Sequence, residues 1–316
     1  MKKLLASLAL AALCASAHGQ YPNKPIRLVV PFPPGGAAEL GARIFAQPLG
    51  QALGQAVVID TRPGADGAIA ADAVMKSAPD GYTLFYATNT AFSWVPAVRK
   101  DPPYDPVNDF TPMSMVGIFG FFVFSHPSVP AKDMKELIAH IKANPGKLNY
   151  GSGNSTSMVS TAQLVQREKL DVVHVPYKGD GPLLQDLLGG RVHFAIATPG
   201  SAAPQVKEGK LRVLGTLLQS RNQLLPEAAT MQEQGLSPMT VTPFGGVYGP
   251  KGVPRDIVDR VSRELQALLK RQEVREAFGR LAFEPRGSTP EELAAFTKEQ
   301  MAVWKKAVAD AGIKPE

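Results

Sequence analysis

Twice along this chain a short apolar run breaks at a glycine-rich turn and passes directly into a helical pattern. The first run, Ile26–Val30, stops at Pro31-Phe32-Pro33-Pro34-Gly35-Gly36 and continues as a helical stretch over 37–53. The second, 148–150, stops at Gly151-Ser152-Gly153-Asn154-Ser155 and continues as a helix over 158–169. A strand that feeds a helix through such a turn is the unit of a mostly parallel α/β sheet. Ligands of such sheets sit outside the carboxyl ends of the strands, where these turns lie.

The surrounding pattern extends both units. A strand over 56–59, a turn at Arg62-Pro63-Gly64, a helix over 68–78, a turn at Pro79-Asp80-Gly81 and a strand over 82–87 complete a βαβαβ series. A second series has a helix over 134–144 closed by Pro145-Gly146, a strand over 172–175, a helix over 182–188, and strands over 194–196 and 211–216. From 253 onward the pattern is helical. Ile257, Val258, Val261, Leu265, Leu268 and Leu269 recur at helical spacing, and Ser288-Thr289-Pro290-Glu291-Glu292 carries the cap, proline and acids of a helix start.

At 316 residues the chain exceeds the ~250–300 at which single cores stop growing, so two lobes are expected. The element order assigns 18–120 to the first lobe and 121–242 to the second. Residues 243–316 return to the first, with crossings near 117–124 and 243–248.

The N-terminus reads as a secretory leader. Lys2 and Lys3 precede an apolar run over 4–13, and Ala15-Ser16-Ala17 forms an A-x-A cleavage site. The run is too short to span a ~30 Å hydrocarbon core. Cleavage after Ala17 would remove Cys14, the one cysteine, and lower the formal charge from +6 to +4. The expected destination is the periplasm, with the mature chain in solution as a monomer. A lipid anchor on Cys14 would want a small residue before it, and Leu13 stands there.

The two turns nominate a ligand site. Pro34, Gly35, Gly36, Ala37, Ala38 and Glu39 in the first, and Gly151, Ser152, Gly153, Asn154, Ser155 and Thr156 in the second, would present backbone N–H groups at a helix start. There the helix dipole favours an anion. A tight turn and a helix cap need the same residues. Glu39 either completes a capping box or meets a ligand amine or ordered water, and it would oppose a second anionic group nearby. Lys178 follows a strand and faces either a carboxylate or solvent, and Tyr177 beside it packs at the cleft edge. Asn89 and Thr90 follow the third strand and add polar groups to the same cleft.

Enzymatic signatures are missing. Neither turn matches G-x-x-x-x-G-K-[ST], and Gly151–Thr156 lacks the last glycine of the dinucleotide fingerprint. The histidines, His18, His126, His140, His174 and His193, form no H-x-H or H-E-x-x-H pair, and there is no G-x-S-x-G elbow. No metal, cofactor or catalytic residue is expected. The basic residues of the C-terminal helices alternate with acids as a solvated face does, which does not point to nucleic acid.

Several stretches together resemble one family. They include Tyr21-Pro22-Asn23-Lys24-Pro25-Ile26, Val30-Pro31-Phe32-Pro33-Pro34-Gly35-Gly36, Pro79-Asp80-Gly81-Tyr82-Thr83-Leu84 and Asp105-Pro106-Val107-Asn108-Asp109-Phe110. Further on are Asn149-Tyr150-Gly151-Ser152, His174-Val175-Pro176-Tyr177-Lys178-Gly179, Asp186-Leu187-Leu188-Gly189-Gly190 and Gly287-Ser288-Thr289-Pro290-Glu291-Glu292. The chain resembles the Bug family of periplasmic solute-binding proteins of tripartite tricarboxylate transporters. The resemblance implies a two-lobed type II periplasmic-binding fold that closes on a small carboxylate or related amide. It also implies that the loops 32–38, including Phe32, and 150–157 hold the ligand, and that the partners are the membrane subunits of the transporter. The chain departs from the family pattern where Ala37-Ala38-Glu39 replaces a Gly-Thr-Asp or Gly-Ser-Asp, at Asp66 and Ala68, and at Ala197 in place of an aspartate. A periplasmic sensor for a membrane receptor, or an exported hydrolase using the same cleft, are the alternatives.

Overall fold

The computed structural model describes residues 21–315, so the leader expected over 1–17, with Cys14, lies outside the described residues. The chain begins with β1 (Ile26–Val30), α1 (Ala37–Leu53), β2 (Val57–Thr61), α2 (Ala68–Met75) and β3 (Thr83–Thr88). In β1, Ile26, Leu28, Val29 and Val30 are all fully buried, as expected of a parallel strand covered on both faces. One face of α1, made by Ala38, Ala42, Phe45, Ala46, Leu49 and Leu53, is buried, and the helix ends at Gly54 with φ 81°.

A π-turn, Thr90–Trp94, leads into α3 (Val95–Val98), then β4 (Phe110–Phe119) and β5 (Phe122–Ser125). Next come α4 (Met134–Ala143), β6 (Asn149–Ser152), α5 (Ser155–Glu168), β7 (Val173–Pro176), α6 (Asp180–Leu188), β8 (Phe194–Ala197), α7 (Ala202–Lys207) and β9 (Arg212–Thr216). The chain closes with β10 (Phe244–Pro250), α8 (Arg255–Leu268), α9 (Gln272–Gly279), β11 (Phe283–Pro285) and α10 (Pro290–Asp310).

These elements form two mixed sheets, one per lobe. The first has six strands in the order β11-β4-β10-β3-β1-β2, and the second has five in the order β7-β6-β8-β5-β9. In each, parallel strands lie beside antiparallel ones: β1 pairs with β2 and β3 in parallel, β10 runs antiparallel between β3 and β4, and β5 runs antiparallel between β8 and β9. The C-terminal α10 packs on the first lobe. Its Trp304 is fully buried in the cluster of Phe85, Phe92 and Tyr248, and Tyr248 Oη lies 2.8 Å from Thr297 Oγ1.

The first crossing falls within the expected 117–124, and the second comes before the expected 243–248. Residues 117–119 belong to β4 and 122–124 to β5, so only Gly120 and Phe121 pass between sheets. Residues 244–248 are β10, a central and wholly buried strand; Gln234 still bonds Met134 and Leu214 of the second lobe, so the return crossing lies between Gln234 and Phe244. The glycines that suggested a hinge have a packing cause: a Cβ on Gly245 would stand 2.5 Å from Tyr86 Oη, so the strand needs glycine to admit that ring. Backbone bonds brace the first crossing on both sides. Phe119 N–H donates to Pro243 O at 2.8 Å, and Leu217 N–H donates to Phe121 O at 2.9 Å.

Two helix starts also shift. The second-lobe helix expected over 158–169 begins at Ser155, because Asn154 and Ser157 form a reciprocal capping box ahead of it. The helix expected over 182–188 begins at Asp180, which leaves Pro182 in the first turn, where a missing N–H costs nothing.

Candidate functional site

The structure brings the strand ends of the two lobes into contact. Asn89, at the end of β3, donates from Nδ2 to Thr156 Oγ1 at 3.0 Å, and Thr90 Oγ1 lies 2.9 Å from Ser155 Oγ. All four are buried polar residues, so each pair replaces water on both partners. Apolar contact accompanies them: Val159 and Met158 of α5 pack in the cluster that holds Phe92 and Trp94 of the first lobe.

The first turn is organised by Glu39. Gly35 holds φ +83°, which glycine adopts without strain. Its N–H donates to Glu39 Oε2 at 3.0 Å, and Gly36 N–H reaches Pro33 O at 3.3 Å. Both amides nominated for a ligand are therefore used within the turn. Gly36, the N-cap of α1, supplies no side-chain cap, so the first-turn amides of Ala37, Ala38 and Glu39 are the donors that remain. Phe32 is half-buried against the core, and Pro34 is exposed.

The second turn is likewise occupied from within. Ser157 Oγ accepts from Gly153 N–H and Asn154 N–H, each at 3.1 Å, and Asn154 Oδ1 accepts from Ser157 N–H at 3.0 Å. The helix-start amides of Ser155 and Thr156 remain. Gly151 and Gly153, nominated for close ligand approach, are glycines because lobe two packs on them. A Cβ on Gly151 would stand 2.1 Å from Leu183 Cδ1, and one on Gly153 2.7 Å from Gly179 C. Ser152 is a buried strand residue whose Oγ lies 2.7 Å from His174 Nε2, and His174 stacks on Tyr150 at 4.8 Å. Among the described residues no carboxylate bonds the other nitrogen of His174, so this pair lacks the orienting acid of a nucleophile–base dyad.

Tyr177 and Lys178 are not drawn in by any contact of the turns' side chains. Tyr177 Oη donates to Asp186 Oδ2 at 2.8 Å; burial and that bond push its phenol up to about 12. Lys178 is exposed and makes no ion pair among the described residues.

The residue missed from sequence is Asp180, the first residue of α6. Its Oδ1 accepts from Asn154 Nδ2 at 2.9 Å, and its Oδ2 accepts from Thr198 Oγ1 at 2.7 Å and Thr198 N–H at 3.1 Å. One carboxyl thus ties together the turns after β6, β7 and β8. Burial pushes it above the usual carboxylate range, against those hydrogen bonds. The available signal was its position: an acid in the first turn of a helix that follows a strand, as Glu39 is in the first lobe.

His174 yields a pH prediction. Burial holds its imidazole below the ordinary 6.5, so the neutral ring is favoured in the fold. Its contribution is present above about pH 6.5 and is lost as pH falls through the folded value. Thermal melts between pH 7.5 and 5 are expected to show a shallower decline for His174→Gln than for the parent protein. Equal slopes would remove the ring from this role.

Among the described residues no group of three or more His, Cys, Asp or Glu side chains is placed to hold a metal, and no helix is long and apolar enough to cross a membrane. Two open surface concavities are lined elsewhere: about 500 Å³ against α8 and the start of α10, and about 800 Å³ beside the end of α1.

Two lobes, each a mixed α/β sheet with its strand-end turns facing the other across a double crossing, define a type II periplasmic-binding-protein fold. Residues 41–313 match the family described as TctC, tripartite tricarboxylate transporter family receptor. The protein BugT of Bordetella pertussis is 34% identical over 93% of this chain and 91% of its own length. A solved structure described as a periplasmic transporter is 36% identical, covers 94% of this chain and 100% of its own, and superposes with TM-score 0.84. The R. palustris protein Rpa4515 with adipate is 31% identical with TM-score 0.85, covering 94% of this chain and 100% of its own. The chain belongs to the tripartite tricarboxylate transporter receptor family. Its general role is that of a solute-binding receptor serving a membrane transporter of that type, in a family of binding proteins rather than enzymes.

Proposed function

We propose that the protein captures a small organic carboxylate or related amide between its lobes, outside the cytoplasm, and delivers it to the membrane subunits of a tripartite tricarboxylate-type transporter. The observation that supports the reading is the pair of contacts Asn89–Thr156 and Thr90–Ser155, which set the end of β3 against the start of α5, at the sheet end where the parallel neighbour β1 runs into the turn before α1. Uncapped amides at both starts would give a carboxylate charge-assisted hydrogen bonds, roughly twice as strong as neutral ones. Those bonds coexist only when the lobes are closed, so the ligand shifts an open–closed equilibrium by its differential affinity. The relative bound to adipate supports an acid as ligand. The leader pattern read in the sequence over 1–17 supports a periplasmic location.

A thermal-shift screen of the protein lacking residues 1–17 against mono-, di- and tricarboxylates and their amides tests this. At 100 times Kd a ligand should stabilise the fold by about 2.7 kcal/mol. No shift with any acid or amide would refute it.

A further inference from the structure

We infer that Asp66 is a positioning residue for ligand capture: it fixes the Trp94 indole in the first-lobe surface on which α5 closes. This rests on the reading above, in which the ligand draws the lobes together. Four consecutive residues after β2, Gly64, Ala65, Asp66 and Gly67, hold positive φ angles of 126°, 47°, 56° and 91°. Glycine adopts such angles freely, but Ala65 and Asp66 adopt them against the steric preference of L-residues. Strain of this kind persists only where the surroundings impose it, and it concentrates at functional sites. Asp66 has a partner that accounts for it. Trp94 Nε1 donates to Asp66 Oδ2 at 3.2 Å. Trp94 is 8% exposed, and a buried indole N–H calls for an acceptor, which this exposed acid supplies.

The bond lands on the element that meets the second lobe. Trp94 is the last residue of the π-turn Thr90–Trp94, a geometry that is rare and recurs at functional sites. α5 packs on this turn, and Thr90 makes the hydroxyl contact with Ser155. Four residues further along each element stand Trp94 and Val159, both members of one buried apolar cluster. The polar contact between the lobes is thus backed by an apolar one, and Asp66 sets where the first lobe's half of it stands. The strained segment is seated for this. A Cβ on Gly67 would stand 3.0 Å from both Pro31 Cβ and Ala91 Cβ, so the segment is wedged between the end of β1 and the π-turn. Tyr104 Oη holds the same turn by donating to Ala91 O at 2.6 Å, which leaves the indole to Asp66.

Three variants separate positioning from folding, with adipate, malate, citrate and benzoate as probes and calorimetric Kd values taken for each that binds the parent. Asp66→Asn tolerates the left-handed conformation and keeps an acceptor oxygen, so it should bind within about twofold of the parent. Asp66→Gly relieves the strain and removes the acceptor. Its urea midpoint should stay close to the parent's while its affinity falls about tenfold. Trp94→Phe keeps a ring and removes the donor; it should lose a similar factor, and the double variant with Asp66→Gly should lose no more than either alone. Tryptophan emission reads the positioning itself, since Trp304, the other tryptophan, is fully buried within the first lobe. The ligand should shift the emission of the parent and of Asp66→Asn, and shift that of Asp66→Gly by less than about half as much. Parent-like affinity in Asp66→Gly, or an equal loss in Asp66→Asn, overturns this inference while leaving carboxylate capture standing. A urea midpoint that falls in step with affinity gives Asp66 a folding role alone and overturns it as well. Failure of all four acids to bind the parent overturns the capture reading and this inference with it.

Discussion

Gly153→Ala is expected to cost about 1–3 kcal/mol of stability, the range for overpacking a filled interior, and to weaken ligand binding at least tenfold. The added Cβ would stand 2.5 Å from Asp180 Oδ1, 2.7 Å from Gly179 C and 2.8 Å from Asp180 N. Two of those atoms are backbone, so no change of rotamer relieves the contact. The turn after β7 must retreat, and it carries Asp180 away from Asn154 and Thr198, loosening the second wall of the cleft. Gly36→Ala is the contrast: its φ of −74° suits any residue, and its Cβ would meet Pro33 O at 3.4 Å and Phe32 Cβ at 4.0 Å, both ordinary contacts. Its stability should stay within about 0.5 kcal/mol of the parent. Urea unfolding and calorimetric titration read both effects. A Gly153→Ala protein as stable and as tight-binding as the parent would contradict the packing of the three second-lobe turns.

Asn89→Ala should open the lobes. It leaves Thr156 Oγ1 without its donor at a site 2% exposed. An unsatisfied buried polar group costs about 1–3 kcal/mol. That cost falls on the closed arrangement alone, since in the open one water reaches both groups. Ligand affinity is therefore expected to drop about 5–150-fold, with a larger radius of gyration by small-angle scattering. Thr156→Val in the same background tests the pairing: the double variant should show a coupling of at least about 0.5 kcal/mol. Additive effects would mean that the contact does not hold the lobes together.

How far these features can be read from sequence depends on whether their causes are local. The strand β1, the helix α1 and the helix start at Thr289 are written in hydrophobic period, a proline-glycine turn and a capping box, and all three are legible in the residues themselves. The strand β10 is not. Its glycines imitate a hinge, and only the ring of Tyr86, more than 150 positions earlier, explains Gly245. Strand β4 is obscured in the same way, since Pro112 and Gly117 interrupt it and its partner β10 lies far along the chain. At the site, the two turns stand out because glycine and polar residues follow apolar runs. Their internal wiring does not. That Glu39 takes Gly35 N–H, that Ser157 takes two amides, and that Asp180 joins three loops are facts of side-chain direction across neighbouring strands, which no spacing encodes.

The central claim is that one small acid touches both lobes at the helix starts of α1 and α5. Amide NMR of the isotopically labelled protein, titrated with the acid that gives the largest thermal shift, tests it directly. The account predicts that the largest perturbations fall together on Ala37, Ala38, Ser155 and Thr156, with smaller changes at Gly120 and Phe121 as the lobes close. Perturbations confined to one lobe, or centred on the surface of α8 or the end of α1, would contradict it.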